Sequence, residues 1–386
     1  MKSDKPRTAL LISSFRAGGG EKQMVEIANA LARRGRAVDL LVVKSVGPLQ
    51  ERVDPAVNVI SLDMGRIAFS IFPLVRYLRI NTPRVLMGVD EHVHILSLLA
   101  RPFARVRPKV VLRVGNMLSE LFNRYQGKAK LMAYIVPRIY KWADMVIGNS
   151  QGVARDVAQV CGIKPERIRV IFNPKDLGAI QTAAQESVEL AWLAPGHTEF
   201  VVVWFGRLRE QKNLPHLFRA FAVLQRSTES RLVIVGQGRE QGRLEALVNE
   251  LGIKERVYFA GYQDNPYKFV SRADVYVLPS LWEGLPNALI EALVCGTPAI
   301  AADCDSGPRE ILAPGTDPYK RIKDGVEWAE YGALIPVNGE QELVEALTSL
   351  IADEGKRSRY KMAALERAKA FDAEDIISQY IEALGV

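Results

Sequence analysis

Cysteine and histidine are scarce: the 386 residues contain three cysteines (Cys161, Cys295, Cys304) and four histidines. The cysteine count is odd and the positions lack metal-ligand spacing, which argues against a disulfide framework and against a zinc site. No apolar run reaches the roughly 18 residues needed to cross a bilayer. The early run at 9–13 is too short for a secretion signal and leads into glycines rather than a cleavage site, so the chain is expected in the cytoplasm. A P-loop is missing as well. The triple glycine Gly18-Gly19-Gly20 lacks the Gly-Lys-Ser/Thr ending and does not fit G-x-G-x-x-G.

What is present is enough apolar sequence, 48% of the chain, for two domains of ordinary size, each with its own core. The net charge of +7 is unevenly spread. Residues 1–180 hold 29 Lys and Arg against 14 Asp and Glu, and the remainder holds 22 against 30. Arg101, Arg105, Arg107 and Lys109, then Arg124, Lys128, Lys130, Arg138 and Lys141, are interleaved with Phe103, Phe122, Tyr125, Tyr134, Tyr140 and Trp142. Basic residues mixed with aromatics suit an anionic membrane surface, and equally a solvated basic face. No nucleic-acid recognition motif accompanies the charge, so nucleic acid is not an expected partner.

Short apolar runs alternate with helical patterns along the whole chain, which predicts an α/β protein with doubly wound parallel sheets. Strands are expected at 8–15, 37–43, 57–62, 84–89, 109–114, 145–149 and 167–173, then at 200–205, 231–238, 257–261, 275–278, 299–302 and 332–337. Ligands in such sheets bind beyond the carboxyl ends of strands. Several polar groups fall there: Gly19, Gly20 and Glu21 after the first strand, Asp90, His92 and His94 after 84–89, and Arg113 and Asn116 at the end of 109–114. Asp90 to His94 reads as a loop followed by a helix from residue 95. Two histidines two residues apart without a third ligand make a poor metal site, so no metal is expected.

The stretch 279–312 organises the rest. Its turn, Trp282-Glu283-Gly284-Leu285-Pro286, opens a helix with Pro286 expected at the first helical position, and such a helix end favours an anion such as phosphate. Glu283 and Glu291 flank that end, separated by seven residues, and carboxylates accept hydrogen bonds from sugar hydroxyls. The segment EGLPNALIE followed by ALVCGTPAIA resembles the E-x7-E signature of retaining glycosyltransferase family 4, and the resemblance extends over nearly the whole chain. It implies the GT-B fold: two Rossmann-like domains facing across a cleft, here an acceptor-binding domain at 1–176, a linker at 177–197, a nucleotide-sugar domain at 198–370, and a terminal helix at 371–386 crossing back to the first domain.

The resemblance also assigns roles. Gly206-Arg207-Leu208, with Lys212 and Asn213, is similar to the family's G-R-L-x-x-x-K-(G/N) element, whose arginine and lysine bind the donor diphosphate. With Glu283, Arg207 and Lys212 form the implied catalytic set, Glu283 orienting donor hydroxyls. Gly19, Gly20, Gly206, Gly261, Tyr262, Gly284, Leu285, Asn287 and Glu291 are implied donor contacts, with Glu291 on the ribose. Glu21, Asp90, His92, His94, Arg113 and Asn116 are the expected acceptor side. A family histidine that contacts the transferred sugar falls at Val89, Asp90 or His92. Where the family usually has Asn-Gly-Val-Asp, this chain has Asn173-Pro174-Lys175-Asp176, as in some members acting on lipid-linked sugars.

The implied activity is retaining transfer of a sugar from a nucleoside diphosphate sugar to a glycan, with no cofactor beyond that co-substrate. The expected donor is UDP-linked hexose or N-acetylhexosamine, and the expected acceptor is lipid-linked, at the inner face of the cytoplasmic membrane. The alternatives are a nucleotide-sugar epimerase, a phosphorylase or a noncatalytic binding protein of the same fold.

Overall fold

The computed structural model describes residues 7–386 except 17, 63–66, 195 and 197, and except the side chains of 67, 68 and 128. The chain divides into two compact units, 1–174 with 373–386, and 175–372.

The first unit carries seven parallel strands: β1 (Arg7–Ser14), β2 (Ala37–Lys44), β3 (Asn58–Ser61), β4 (Val85–Gly88), β5 (Lys109–Val114), β6 (Met145–Gly148) and β7 (Ile168–Val170). Their order is β3-β2-β1-β4-β5-β6-β7. The central strands are apolar along their length because helices cover both faces of the sheet, and Leu10, Ile12, Leu40, Val42 and Met87 are fully buried. The helix Ala373–Leu384 belongs here, with Ile376, Ile377 and Tyr380 in the same core as β1 and β2.

The second unit repeats the plan with β8 (Phe200–Phe205), β9 (Ser230–Val235), β10 (Val257–Gly261), β11 (Val275–Leu278), β12 (Ala299–Ala302), β13 (Glu327–Trp328) and β14 (Ala333–Ile335). The order is β10-β9-β8-β11-β12-β14-β13, parallel except for β13 against β14. Trp204, Phe218 and Phe221 are fully buried at its centre.

Two local readings of the sequence change. The stretch expected as a linker contains the helix Leu177–Ala184, capped by Asp176, whose Oδ1 accepts from the Ala179 N–H at 2.9 Å. It is bound to its own unit through Asn265 Nδ2 to the Ala183 carbonyl (2.7 Å) and Ser271 Oγ to the Ala184 carbonyl (3.0 Å). Residues 313–330, a polar insertion between the strands expected at 299–302 and 332–337, contain β13, which pairs with β14 and so extends the sheet.

Candidate functional site

In both sheets the chain order reverses between the first strand and the fourth, between β1 and β4 and between β8 and β11. Connections at such a switch point leave in opposite directions and open a crevice at the strand ends. Most candidate residues of each unit lie at or near these strand ends.

In the second unit, Gly206, Gly236 and Gly261 end β8, β9 and β10 side by side. The Gly206 N–H bonds the Val235 carbonyl at 3.0 Å, and the Gly236 N–H bonds the Gly261 carbonyl at 2.7 Å. Arg207 is exposed, whereas Leu208 is fully buried and anchors the loop. Burial, then repulsion from Arg207 and Arg239, lowers the pKa of Arg209, so this rim is positively charged. A single 3-10 turn (Glu210–Lys212) ends at Asn213, whose φ of 49° suits asparagine.

That turn is stitched to the loop after β11. The Leu281 N–H donates to the Gln211 carbonyl (2.9 Å), Gln211 Nε2 to the Trp282 carbonyl (2.8 Å), and Lys212 Nζ meets Glu283 Oε1 at 2.5 Å. Lys212 and Glu283, 71 residues apart, are thereby one unit, with the glutamate only 6% exposed. Pro286 is the residue before the helix Asn287–Val294 rather than its first member. Leu285 is buried and Asn287 partly so. A side chain at Gly307, whose φ is 94°, would come within 2.4 Å of Pro286 Cδ, and Ser306 Oγ donates to the Gly284 carbonyl at 2.7 Å. Only glycine lets the two loops lie this close.

Glu291, 6% exposed, is ion-paired at 2.8 Å with Lys175 Nζ, itself 3% exposed. Burial, then the charges of Glu283 and Glu291, pushes the buried Tyr276 hydroxyl well above the usual phenol range, so it stays protonated. Tyr262 is exposed and bonds Asp264 at 3.1 Å. Sequence reasoning treated Lys175 only as a departure from a pattern and overlooked Gln211 and Ser306.

In the first unit, the helix Gly19–Arg33 begins inside the triple glycine, with Gly18 as its N-cap residue. Glu21 folds back over that end, its carboxylate filling the space a Cβ on Gly18 would take, and accepts from Ser13 Oγ at 3.0 Å. The loop expected at 90–94 is mostly helix, because Asp90 caps it by accepting from the Val93 N–H at 2.9 Å. Two residues apart on a helix point to nearly opposite sides. Hence His92 is exposed while His94 is 1% exposed, its Nδ1 2.6 Å from the Tyr140 hydroxyl. Arg113 is likewise enclosed, donating to the Tyr380 hydroxyl (3.0 Å) and Asn173 Oδ1 (2.6 Å). Asn116 is exposed on the loop beyond β5. Gly19, Gly20, Glu21, Asp90, His92 and Asn116 thus lie at the ends of three adjacent strands, and His94 and Arg113 beneath them in the core.

Burial holds His94 neutral, lowering its pKa to about 4. The unfolded chain binds a proton near pH 6.5. This histidine therefore contributes fully above pH 6.5, and its contribution of about 3 kcal/mol is lost as pH falls from 6.5 to about 4. Denaturant melts of His94→Phe are expected to show a correspondingly shallower acid-side decline than the parent chain.

Among the described residues no group of three or more His, Cys, Asp or Glu is placed to hold a metal ion, and no helix is long and apolar enough to cross a membrane.

Two nucleotide-type sheets with charged loops at their switch points define the class, a GT-B glycosyltransferase fold. Anabaena HepE in complex with UDP has this fold with a TM-score of 0.80 at 21% identity, covering 98% of this chain and 99% of that one. Residues 17–178 match the family described as Glycosyltransferase Family 4, and residues 192–367 match Glycosyl transferases group 1. An N-acetylgalactosamine-N,N'-diacetylbacillosaminyl-diphospho-undecaprenol 4-alpha-N-acetylgalactosaminyltransferase of Campylobacter jejuni is 30% identical over 311 residues, 81% of this chain and 78% of that protein. The lipopolysaccharide core biosynthesis glycosyltransferase LpsE of Rhizobium meliloti is 26% identical over 95% of this chain and 96% of that one. The chain belongs to glycosyltransferase family 4.

Proposed function

We propose that this glycosyltransferase moves a hexose or N-acetylhexosamine from a UDP-sugar to a hydroxyl of a lipid-linked glycan, with retention of anomeric configuration and without a metal. The observation that carries the reading is the Lys212–Glu283 pair, which joins the loops after β8 and β11 at a switch point, with Arg207 exposed on the first of those loops. A planar guanidinium and a compact ammonium suit the two phosphates of a departing diphosphate, where negative charge grows as the C1–O bond breaks. Glu283 orients the donor hydroxyls and Glu291 holds the ribose. The acceptor oxygen bonds C1 on the face the diphosphate leaves, and the leaving phosphate oxygen takes the acceptor proton. Gly206, Gly261 and Tyr262 line the nucleotide end, and Glu21, Asp90, His92 and Asn116 receive the acceptor, with His94 and Arg113 holding that surface from below.

The names of similar proteins support the substrate class: the Campylobacter enzyme uses an undecaprenol-linked acceptor, and HepE binds UDP. Exposed Phe103, Tyr134 and Trp142 among exposed Arg105, Arg107, Lys130 and Arg138 support a peripheral seat on anionic lipid at the cytoplasmic membrane face.

The test is a panel of nucleoside diphosphate sugars read by melting temperature, then transfer to polyprenyl-diphosphate-linked glycans in EDTA with the product anomer read by NMR. One UDP-sugar is expected to raise the melting temperature and to be consumed only with acceptor, giving the donor's own anomeric configuration. Release of an altered nucleotide sugar without acceptor would assign an epimerase instead, and binding without consumption a noncatalytic protein.

A further inference from the structure

We propose that Lys175 is the positioning residue for ribose recognition, holding Glu291 ionised and aimed so that the site selects ribonucleotides over 2′-deoxyribonucleotides. The proposal rests on the reading above that Glu291 holds the ribose.

Lys175 is 3% exposed and its Nζ lies 2.8 Å from Glu291 Oε1, so the two buried groups form one charge-compensated pair. Its backbone is held on both sides. The Lys175 N–H donates to the Phe371 carbonyl at 2.8 Å, Lys175 pairs with Asp372 in an isolated bridge, and the next residue caps a helix. Pro174 fixes the φ angle just before it. The ammonium is therefore a fixed point rather than the end of a mobile stem.

Electrostatics explains why the carboxylate needs that point. Glu291 must lie near a dianionic diphosphate, where an uncompensated negative charge would repel the ligand or take up a proton. A protonated Glu291 would no longer offer only acceptor oxygens to ribose hydroxyls. Lys175 cancels the charge and fixes one oxygen, which sets the plane of the other. The same device serves Glu283 through Lys212. Each glutamate of the motif is thus matched to a lysine far away in sequence, at 71 residues for one pair and 116 for the other.

The test measures binding by calorimetry for whichever of UDP, GDP and ADP the parent chain binds best, and for its 2′-deoxy form. The parent is expected to prefer the ribonucleotide. Lys175→Met is expected to weaken ribonucleotide binding about tenfold, the weight of a hydrogen bond to a charged group, while moving the 2′-deoxy form little. The KM for donor rises with kcat nearly unchanged, and Lys175→Met on top of Glu291→Gln adds nothing. Lys175→Gln, uncharged and one bond shorter, serves if Lys175→Met does not fold, and it too should lose most of the preference. If Glu291→Gln abolishes the preference and a folded Lys175 variant keeps it, Lys175 is merely structural and the ribose reading stands. If Glu291→Gln keeps the preference, or the parent binds none of the three nucleotides, the ribose reading fails and this inference with it.

Discussion

Replacing Lys212 with alanine is expected to leave a folded chain that binds nucleotide but transfers sugar about 100- to 1000-fold more slowly, the usual loss for one preorganised charge-stabilising donor. The fold should survive because the Lys212 side chain is 18% exposed and Glu283 keeps a second contact, from Gln211 Nε2 at 3.4 Å. The rate should not survive. On the proposed reading the ammonium faces a diphosphate that gains charge only as the glycosidic bond breaks, so its removal should cost more in the transition state than in the bound donor. The loss should appear in kcat with a smaller change in nucleotide affinity. Lys212→Arg should recover only part, since a planar fork cannot reach Glu283 and a phosphate from the place a point charge occupies. Single-turnover rates with saturating UDP-sugar measure the effect. A rate within a few-fold of the parent would take Lys212 out of the reacting site.

That site was partly legible because its elements are local in sequence. Strands buried on both faces are short apolar runs, and 200–205, 257–261, 275–278 and 299–302 match β8, β10, β11 and β12. The outer strands are less legible: β7 covers Ile168–Val170, three residues of an expected seven, since two of its positions are exposed and packing does not enforce a pattern. Two helix starts do carry a local signal. Asp90 and Asp176 are both N-cap residues, and reading them as such moves the histidine pair onto a helix and turns an expected linker into a packed element. Other features have no local signature. Arg113 reads as a polar group at a strand end until Tyr380, 267 residues on, and Asn173 close around it. Lys175 is an ordinary charge until Glu291 is brought beside it. Periodicity reports which face of an element is buried, but not which distant polar group will satisfy a charge on that face.

Arg309→Met is expected to destabilise the second unit by about 3 kcal/mol, the low end of the cost of breaking a buried ion pair, because Asp303 keeps Arg321 Nη1 at 4.0 Å and the Ile322 N–H at 2.9 Å. Arg309 is 1% exposed and Asp303 2%, and their closest approach is Arg309 Nη2 to Asp303 Oδ2 at 2.7 Å. The same guanidinium reaches Glu327 on β13 through two bonds of 2.9 Å and Thr316 Oγ1 at 3.2 Å. One arginine thus ties the insertion at 313–330 to the loop after β12. Its hydrogen bonds to Glu327 hold that carboxyl below its ordinary pKa. Glu327 therefore adds stability that is complete above the ordinary carboxyl range and lost as pH falls through its lowered folded value, and this acid sensitivity should vanish in Arg309→Met. Adding Asp303→Asn should recover part of the loss, because Arg321 at 4.0 Å compensates the buried Asp303 charge less well than Arg309 does. Urea melts at pH 7 and near pH 4 separate the two effects. Nucleotide affinity should fall along with stability, since Ser306 and Gly307, between the two ion-pair partners, brace Gly284 and Pro286 at the helix that carries Glu291. A variant that melts like the parent would mean that water reaches Asp303 and that the network does not hold the loop.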